Sequence, residues 1–167
     1  AGSQNNVIAL NREIYESARR SRTAYADMAE TVANLSQSAH DAFPDPREAT
    51  QFAETIQKAM AIGGTKGQAK KNAVLQLTQG LASGQLQGDE FRSIAENAPI
   101  IENIIAKTMG VSRGELKKLA SEGKITAEVI KKAMTENAAE IEEQFRKLPH
   151  TMSDWVTDIQ SVAQYAF

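Results

Sequence analysis

The sequence contains no cysteine and only two histidines. Without cysteine the chain has no disulfides, no thiolate nucleophiles and no cysteine-based zinc or iron–sulfur site. His40 and His150 lie far apart in the sequence, each beside a predicted turn, where side chains are usually exposed. We therefore expect neither of them to bind a metal or to act in acid–base catalysis.

Long apolar runs are also missing. The longest stretch without a charged residue, 72–88, carries four Gln and three Gly. A bilayer-spanning helix needs about 20 mostly apolar residues. We expect no membrane-spanning segment in these residues, and no signal-peptide pattern opens them.

What the sequence has in abundance is alanine. The 167 residues include 26 Ala, whereas Val and Ile together number 20. Alanine loses no side-chain entropy in a helix, so this balance favours helix over strand. The length is that of one domain with one core. The composition predicts an all-α protein.

Proline and glycine divide the chain into a series of helices. Pro44 and Pro46 end a first segment, because proline lacks the amide donor that a helix interior needs. We predict a second helix over 48–62 and a third that Thr65 caps and Gly84 ends. Later boundaries are marked, in chain order, by Pro99, Gly110, Ser112 with Glu115, Gly123, Thr126 and Pro149.

The first segment, 1–43, is predicted as a long amphipathic helix. Apolar and small polar side chains follow a weak heptad from Val7 to Leu35. An unbroken helix to Ala42 would extend about 54 Å, which is longer than a compact domain of this size. Two interpretations stay open: a solvated helix packed on its own domain, or a coiled-coil stem that meets another copy.

Two of the predicted helix–helix joints are alike. Residues 81–91 and 119–129 both contain Leu-Ala-Ser, a glycine, an aliphatic residue two positions later, and an acid in the next helix's first turn. The glycine can adopt the left-handed conformation that ends a helix. The pattern indicates two similar helix hairpins in which the aliphatic residue is buried beneath the turn.

No arrangement of side chains indicates catalysis. Glu136, Glu140 and Glu143 fall on one helical face, but a row of acids on a lysine-rich helix is typical of solvated surface. The segment 63–67 is glycine-rich yet lacks the spacing of a phosphate-binding loop. We predict that the chain is not an enzyme and uses no cofactor or metal.

Charge is unevenly distributed in the second half. Residues 107–132 carry a net charge of +4, and 133–167 a net charge of −4. The basic stretch has the form of a turn and second helix of a helix-turn-helix reader, with Arg113 able to contact guanine. Its helix offers no Asn or Gln for base contacts. A DNA-binding module at 107–132 is the alternative hypothesis. A simpler explanation of the charge pattern is that the two oppositely charged stretches face each other in the fold.

The middle of the chain carries a motif of turn and packing residues in consistent order and spacing, from about Phe52 to Met134. Its members are Gln76, Leu77, Gln79, Leu81, Ser83, Gly84, Leu86, Gly88, Glu90, Pro99, Gly110, Val111, Glu115, Leu116, Gly123 and Thr126. In this motif the chain resembles the N-terminal domain of tail tape measure proteins of long-tailed phages and prophages.

The resemblance implies a structural function. Tape measure proteins set the length of the phage tail, and the tail tube assembles around them with the help of tail assembly chaperones. It implies a location in the virion tail, and in the host cytoplasm during assembly. It also implies partners among the tail tube, the tail assembly chaperone and the tail tip, with a homo-oligomer possible and nucleic acid not expected. We therefore divide the chain into a helix at 1–43, a compact helical tape measure domain at 47–148 and a C-terminal amphipathic helix at 150–167.

The final helix offers the best candidates for interaction. Trp155 and Tyr165 are predicted on its apolar side, and aromatic side chains dominate binding energy at interfaces. They are the candidate contact residues, although we expect Trp155 to pack into the domain's own core.

Overall fold

The computed structural model describes residues 2–167, and in this part of the chain nine α-helices follow one another. Their bounds are α1 Gly2–Arg20, α2 Tyr25–Ser38, α3 Pro46–Ile62, α4 Gly67–Ser83, α5 Gly88–Asn97, α6 Pro99–Met109, α7 Arg113–Ser121, α8 Ala127–Arg146 and α9 Met152–Ala166. The only β pairing among residues 2–167 is one isolated antiparallel bridge. The predicted all-α class is confirmed.

Most helix ends lie where their capping residues predict. Pro46 and Pro99 each occupy the first turn of a helix, where the missing amide donor costs nothing. Ser112 forms a reciprocal capping box with Glu115, and the Thr126 side chain accepts a hydrogen bond from the Val129 amide. These boundaries depend on contacts within three or four residues, so the sequence alone predicts them.

The first segment, predicted as one long amphipathic helix over 1–43, is two helices, so the prediction of a continuous helix is wrong. The chain turns at residues 21–24, and α1 and α2 pack against each other. Arg22 takes a left-handed conformation with φ of 56°, and the Thr23 amide donates to the Ala18 carbonyl at 2.9 Å. The left-handed residue and this hydrogen bond end α1 in the way that a glycine usually ends a helix. The sequence does not signal it because an arginine stands at the left-handed position.

One further boundary differs from its prediction. Thr65 does not cap α4: the position before the helix is Lys66, and no side chain caps this end. Instead the Thr65 amide donates to the Met60 carbonyl at 2.9 Å, closing the end of α3. The first amides of α4 are therefore not capped by a side chain.

The core is one continuous cluster that draws on α1 to α8. Helix α3 lies at its centre and contacts α1, α2, α6 and α8. The largest completely buried side chains include Phe43, Met28, Leu35 and Met60. Residues of the first segment thus share a core with residues of the motif region.

A partly buried ion cluster joins α1, α3 and α8, with Lys58 buried and Arg20 about half exposed. Glu54 accepts hydrogen bonds from Ser17 Oγ at 2.7 Å and from Lys58 Nζ at 2.7 Å, and Arg20 Nη2 donates to it at 2.8 Å. Lys58, whose side chain is 5% exposed, also pairs with Glu142. Burial acts to raise the pKa of Glu54, but hydrogen bonds from Arg20, Lys58 and Ser17 outweigh it and lower the pKa below its ordinary value.

The two similar joints lie against each other. The Leu86 amide donates to the Ile125 carbonyl at 2.8 Å, and the Ala127 amide donates to the Gly84 carbonyl at 2.8 Å. Leu86 and Ile125 are both completely buried, as the hairpin pattern predicts. These two hydrogen bonds join the α4–α5 hairpin to the α7–α8 hairpin. The two segments lie about 40 residues apart in the sequence, so the local pattern could not reveal this contact.

Candidate interaction surface

The motif residues lie at turns and in the core. Leu77, Leu81, Leu86 and Leu116 are buried. The Glu90 carboxylate accepts a hydrogen bond from the Gln87 amide at 2.6 Å and so caps α5. Gly84, Gly110 and Gly123 have positive φ at helix ends, while Gln79, Ser83 and Gly88 lie at the surface. Packing and capping are what these side chains do in the structure.

Among the described residues, one ion pair between helices joins the basic and acidic stretches, which supports the simpler explanation of the charge pattern at that point only. Lys107 pairs with Glu140 at 2.9 Å, and Lys132 lies 3.8 Å from Glu136. The Arg113 guanidinium is engaged as well, since it donates to a carboxylate that is itself buried, that of Glu102, at 2.7 Å. Nothing in this arrangement supports DNA binding by residues 107–132.

No reactive group assembles in the described residues. His40 and His150 are both exposed, and Glu143 pairs with Lys147 of the same helix at 3.5 Å. Residues 2–167 contain no group of three or more His, Asp or Glu side chains that could hold a metal ion. Likewise, no helix in this range is long and apolar enough to cross a membrane.

Helix α9 is attached to the body through its polar side. Ser161 Oγ accepts a hydrogen bond from the Tyr25 amide at 2.9 Å, and Gln164 Oε1 accepts one from the Ala26 amide at 3.1 Å. These are the first amides of α2, whose own preceding residue, Ala24, provides no side-chain cap. Side chains about 140 positions away therefore cap α2.

Two further contacts hold α9 against α1. Asp158 accepts two hydrogen bonds from the Arg19 guanidinium, at 2.7 and 3.0 Å, and these bonds raise the pKa of Arg19. The Tyr165 ring stacks on Tyr15, with centroids 4.2 Å apart, and meets Tyr25 edge-on at 5.5 Å. The order of these contacts shows that α1 and α9 run antiparallel.

The apolar side of α9 faces outward. We define the α9 apolar face as the large apolar residues that are exposed on the side of the helix away from Ser161: Met152, Trp155, Val156, Ile159 and Val162. Trp155 is 56% exposed and Ile159 71% exposed. The expectation that Trp155 packs into the core is therefore wrong. Contiguous exposed apolar side chains of this kind mark interaction sites in proteins.

The two predicted contact residues lie on different sides of α9. Trp155 lies on the free face, whereas Tyr165 is 39% exposed and belongs to the attachment with Tyr15 and Tyr25. Ser161, which is completely buried, was not anticipated. The spacing of Asp154, Asp158 and Ser161 places them on one helical side, and this polar stripe is the signal that could have identified the attached face.

Comparison with known proteins gives one finding. A family model described as tape measure protein matches residues 1–166. No curated protein matches the sequence, and no solved structure matches it either.

Proposed function

The chain belongs to the tape measure protein family, and from this premise we propose that it is a folded module of a phage tail protein that takes part in setting tail length and in tail assembly. The match over residues 1–166 is the observation that carries the proposal, because it includes every helix of the structure. The proposal gives the chain no catalytic role.

The organisation of the module supports a role in docking. We propose that α1 to α8, which share one core, form the rigid part, and that α9, which packs on α1 and α2 and exposes its apolar side, connects it to its partners. The partner is another tail protein: the tail tube, the tail assembly chaperone, the tail tip or a further copy of the chain. Assembly in the host cytoplasm and residence in the virion tail follow from this role.

The α9 apolar face is the proposed contact surface. Its side chains are exposed while the polar side of the helix is already bound to α1 and α2. Burying an apolar side chain of this size contributes about 1.5–3 kcal/mol. A central tryptophan among aliphatic neighbours is the kind of residue that dominates an interface.

Deletion of residues 2–167 from the parent gene tests the structural role. A continuous helix of this many residues would be about 250 Å long, whereas the folded module has a radius of gyration of about 15 Å. Electron microscopy should show either that no tails form or that tail length changes by about the size of the folded module, which is much less than the length of the continuous helix. Tails of normal number and length would refute the proposal.

The contact surface is tested separately. Replacement of Trp155 and Ile159 by serine should abolish co-purification with the neighbouring tail gene products and leave the circular dichroism spectrum unchanged. Leu75→Ser is the matched control, because Leu75 is 51% exposed on α4 and lies outside the α9 apolar face. Light scattering of the same variants reports whether self-association depends on this face. Equal binding by the serine variant and the control would exclude the α9 apolar face as the contact surface.

A further inference from the structure

Helix α9 carries a complete heptad seam on its exposed side. The seam consists of four residues of the α9 apolar face and one alanine, spaced alternately three and four residues apart: Met152, Trp155, Ile159, Val162 and Ala166. This is the spacing by which one helix packs along another helix. The surface therefore fits an α-helix of about the length of α9 itself, which is about 22 Å.

The exposed side of α9 carries no charge. The only charged residues of this helix are Asp154 and Asp158. Asp154 accepts a hydrogen bond from the Thr151 amide at 2.8 Å, and Asp158 accepts one from Arg19 at 2.7 Å. A charged partner helix would find no counter-ion on the exposed side, whereas a second copy of the same side brings no like charge against it. The formal net charge of the chain is only −2, so repulsion between copies is also weak.

The area of the α9 apolar face is sufficient for a pair of copies. Its five side chains are 46–80% exposed. Burying them would remove about 500 Å² of apolar surface from water on each copy, or about 1,000 Å² for the pair. This total lies at the lower limit for a specific interface and well below the size of a permanent one. Pairing through this face should therefore be reversible.

We propose that the occupant of the α9 apolar face is α9 of a second copy of the chain, in a two-fold pair centred on Ile159. This inference rests on the proposed function, because it takes the same contact surface and names its partner. Two-fold pairing needs only one kind of surface, since each copy presents the same face to the other. Ile159 is the middle residue of the seam, with Trp155 one turn before it and Val162 one turn after it. The polar side of α9 stays bound to α1 and α2, so the pair links two folded bodies.

Sedimentation equilibrium of the chain alone tests the pair. We expect a monomer–dimer equilibrium with a dissociation constant of about 1–100 μM. Trp155→Ser should weaken the dimer at least tenfold, because central aromatic residues dominate interfaces of this kind. Leu75→Ser is the matched control and should leave the equilibrium unchanged, since Leu75 is an exposed leucine of α4. A monomer at all concentrations up to about 1 mM, or equal weakening by the two substitutions, would overturn the proposal.

The lack of cysteine in the sequence allows a second test, by crosslinking. Ile159→Cys should form disulfide-linked dimers under mild oxidation, because the two sulfurs of a two-fold pair centred on this residue meet at the axis. Leu75→Cys introduces an equally unpaired thiol outside the α9 apolar face and should not crosslink. Equal yields of dimer from the two variants would count against the pair.

Failure of this inference is distinguishable from failure of the proposed function. If the chain is monomeric alone and still needs Trp155 to co-purify with other tail gene products, the second copy is refuted and the contact surface stands. If a dimer depends on Trp155 but co-purification does not, the second copy is supported and contact of this face with other tail proteins is refuted.

Discussion

Replacing Glu54 by glutamine should destabilise the fold far more than the same change elsewhere. Glu54 receives hydrogen bonds from Ser17 and Arg20 on α1 and from Lys58 on α3. Glutamine preserves the shape of the side chain and removes its charge. The substitution therefore tests the ion cluster with little change in packing.

The size of the effect follows from the partners that remain. Removing one member of a buried ion pair costs about 3–5 kcal/mol. Two features reduce the cost here: Lys58 keeps its pair with Glu142, and the glutamine carbonyl can still accept a hydrogen bond from Ser17. We expect the free energy of unfolding to fall by about 2 kcal/mol at neutral pH.

The loss should depend on pH in a defined direction. The pKa of Glu54 is lowered in the folded chain, so its carboxylate stabilises the fold above the ordinary carboxyl pKa. That contribution disappears as the pH falls through the lowered value. The difference between wild type and Glu54→Gln should therefore be complete at about pH 7 and should shrink below about pH 4.

Urea unfolding followed by far-ultraviolet circular dichroism measures this difference. Glu143→Gln is the matched control, because Glu143 is 68% exposed and pairs with Lys147 at 3.5 Å on one helix. Exposed pairs of this kind contribute under about 1 kcal/mol. The reasoning is refuted if the two variants lose equal stability, or if the loss at Glu54 is as large in acid as at neutral pH.

Three other perturbations have definite expected outcomes. Ser161→Ala should cost about 1–2 kcal/mol and speed hydrogen exchange at the Tyr25 amide, since it removes the cap of α2; unchanged exchange there would contradict the capping role. Gly123→Ala should cost about 1–2 kcal/mol in thermal unfolding, because φ is +71° and the new Cβ would lie 3.0 Å from Gln85 Oε1; a stabilised variant would show that the turn relaxes. Lys70→Met should stabilise the fold at neutral pH, because burial lowers the pKa of Lys70, which means that the folded state disfavours the charged ammonium. The gain in stability should vanish above about pH 10.4, where the lysine is neutral in both the folded and the unfolded state.

Helix ends with local signals are those that the sequence predicts. Pro99, Ser112 and Thr126 act on amides within three residues, and Gly84 and Gly110 adopt left-handed conformations available to glycine at little cost. The end of α1 has no such signal, because its left-handed residue is Arg22. Local chemistry thus located most boundaries. It failed at Arg22, which takes a left-handed conformation, and at the start of α4, where Lys66 and not Thr65 precedes the helix.

The candidate surface shows the opposite case. The sequence of α9 determines that the helix is amphipathic, since its apolar and polar residues separate at helical spacing. It does not determine which side is attached, because both sides can contribute free energy: one by apolar burial, the other by hydrogen bonds. Ser161 and Asp158 have partners on the body, Tyr25 and Arg19, and the apolar side does not.

The sequence by itself determined the helical class, most helix ends and the buried aliphatic residue of each similar hairpin, because these depend on neighbours along the chain. Only the tertiary structure decided that the hairpins pair through Leu86 and Ile125, and that α9 packs on α1 and α2 with Trp155 exposed. Each of these joins residues from distant parts of the chain, and their meeting depends on how the whole core packs.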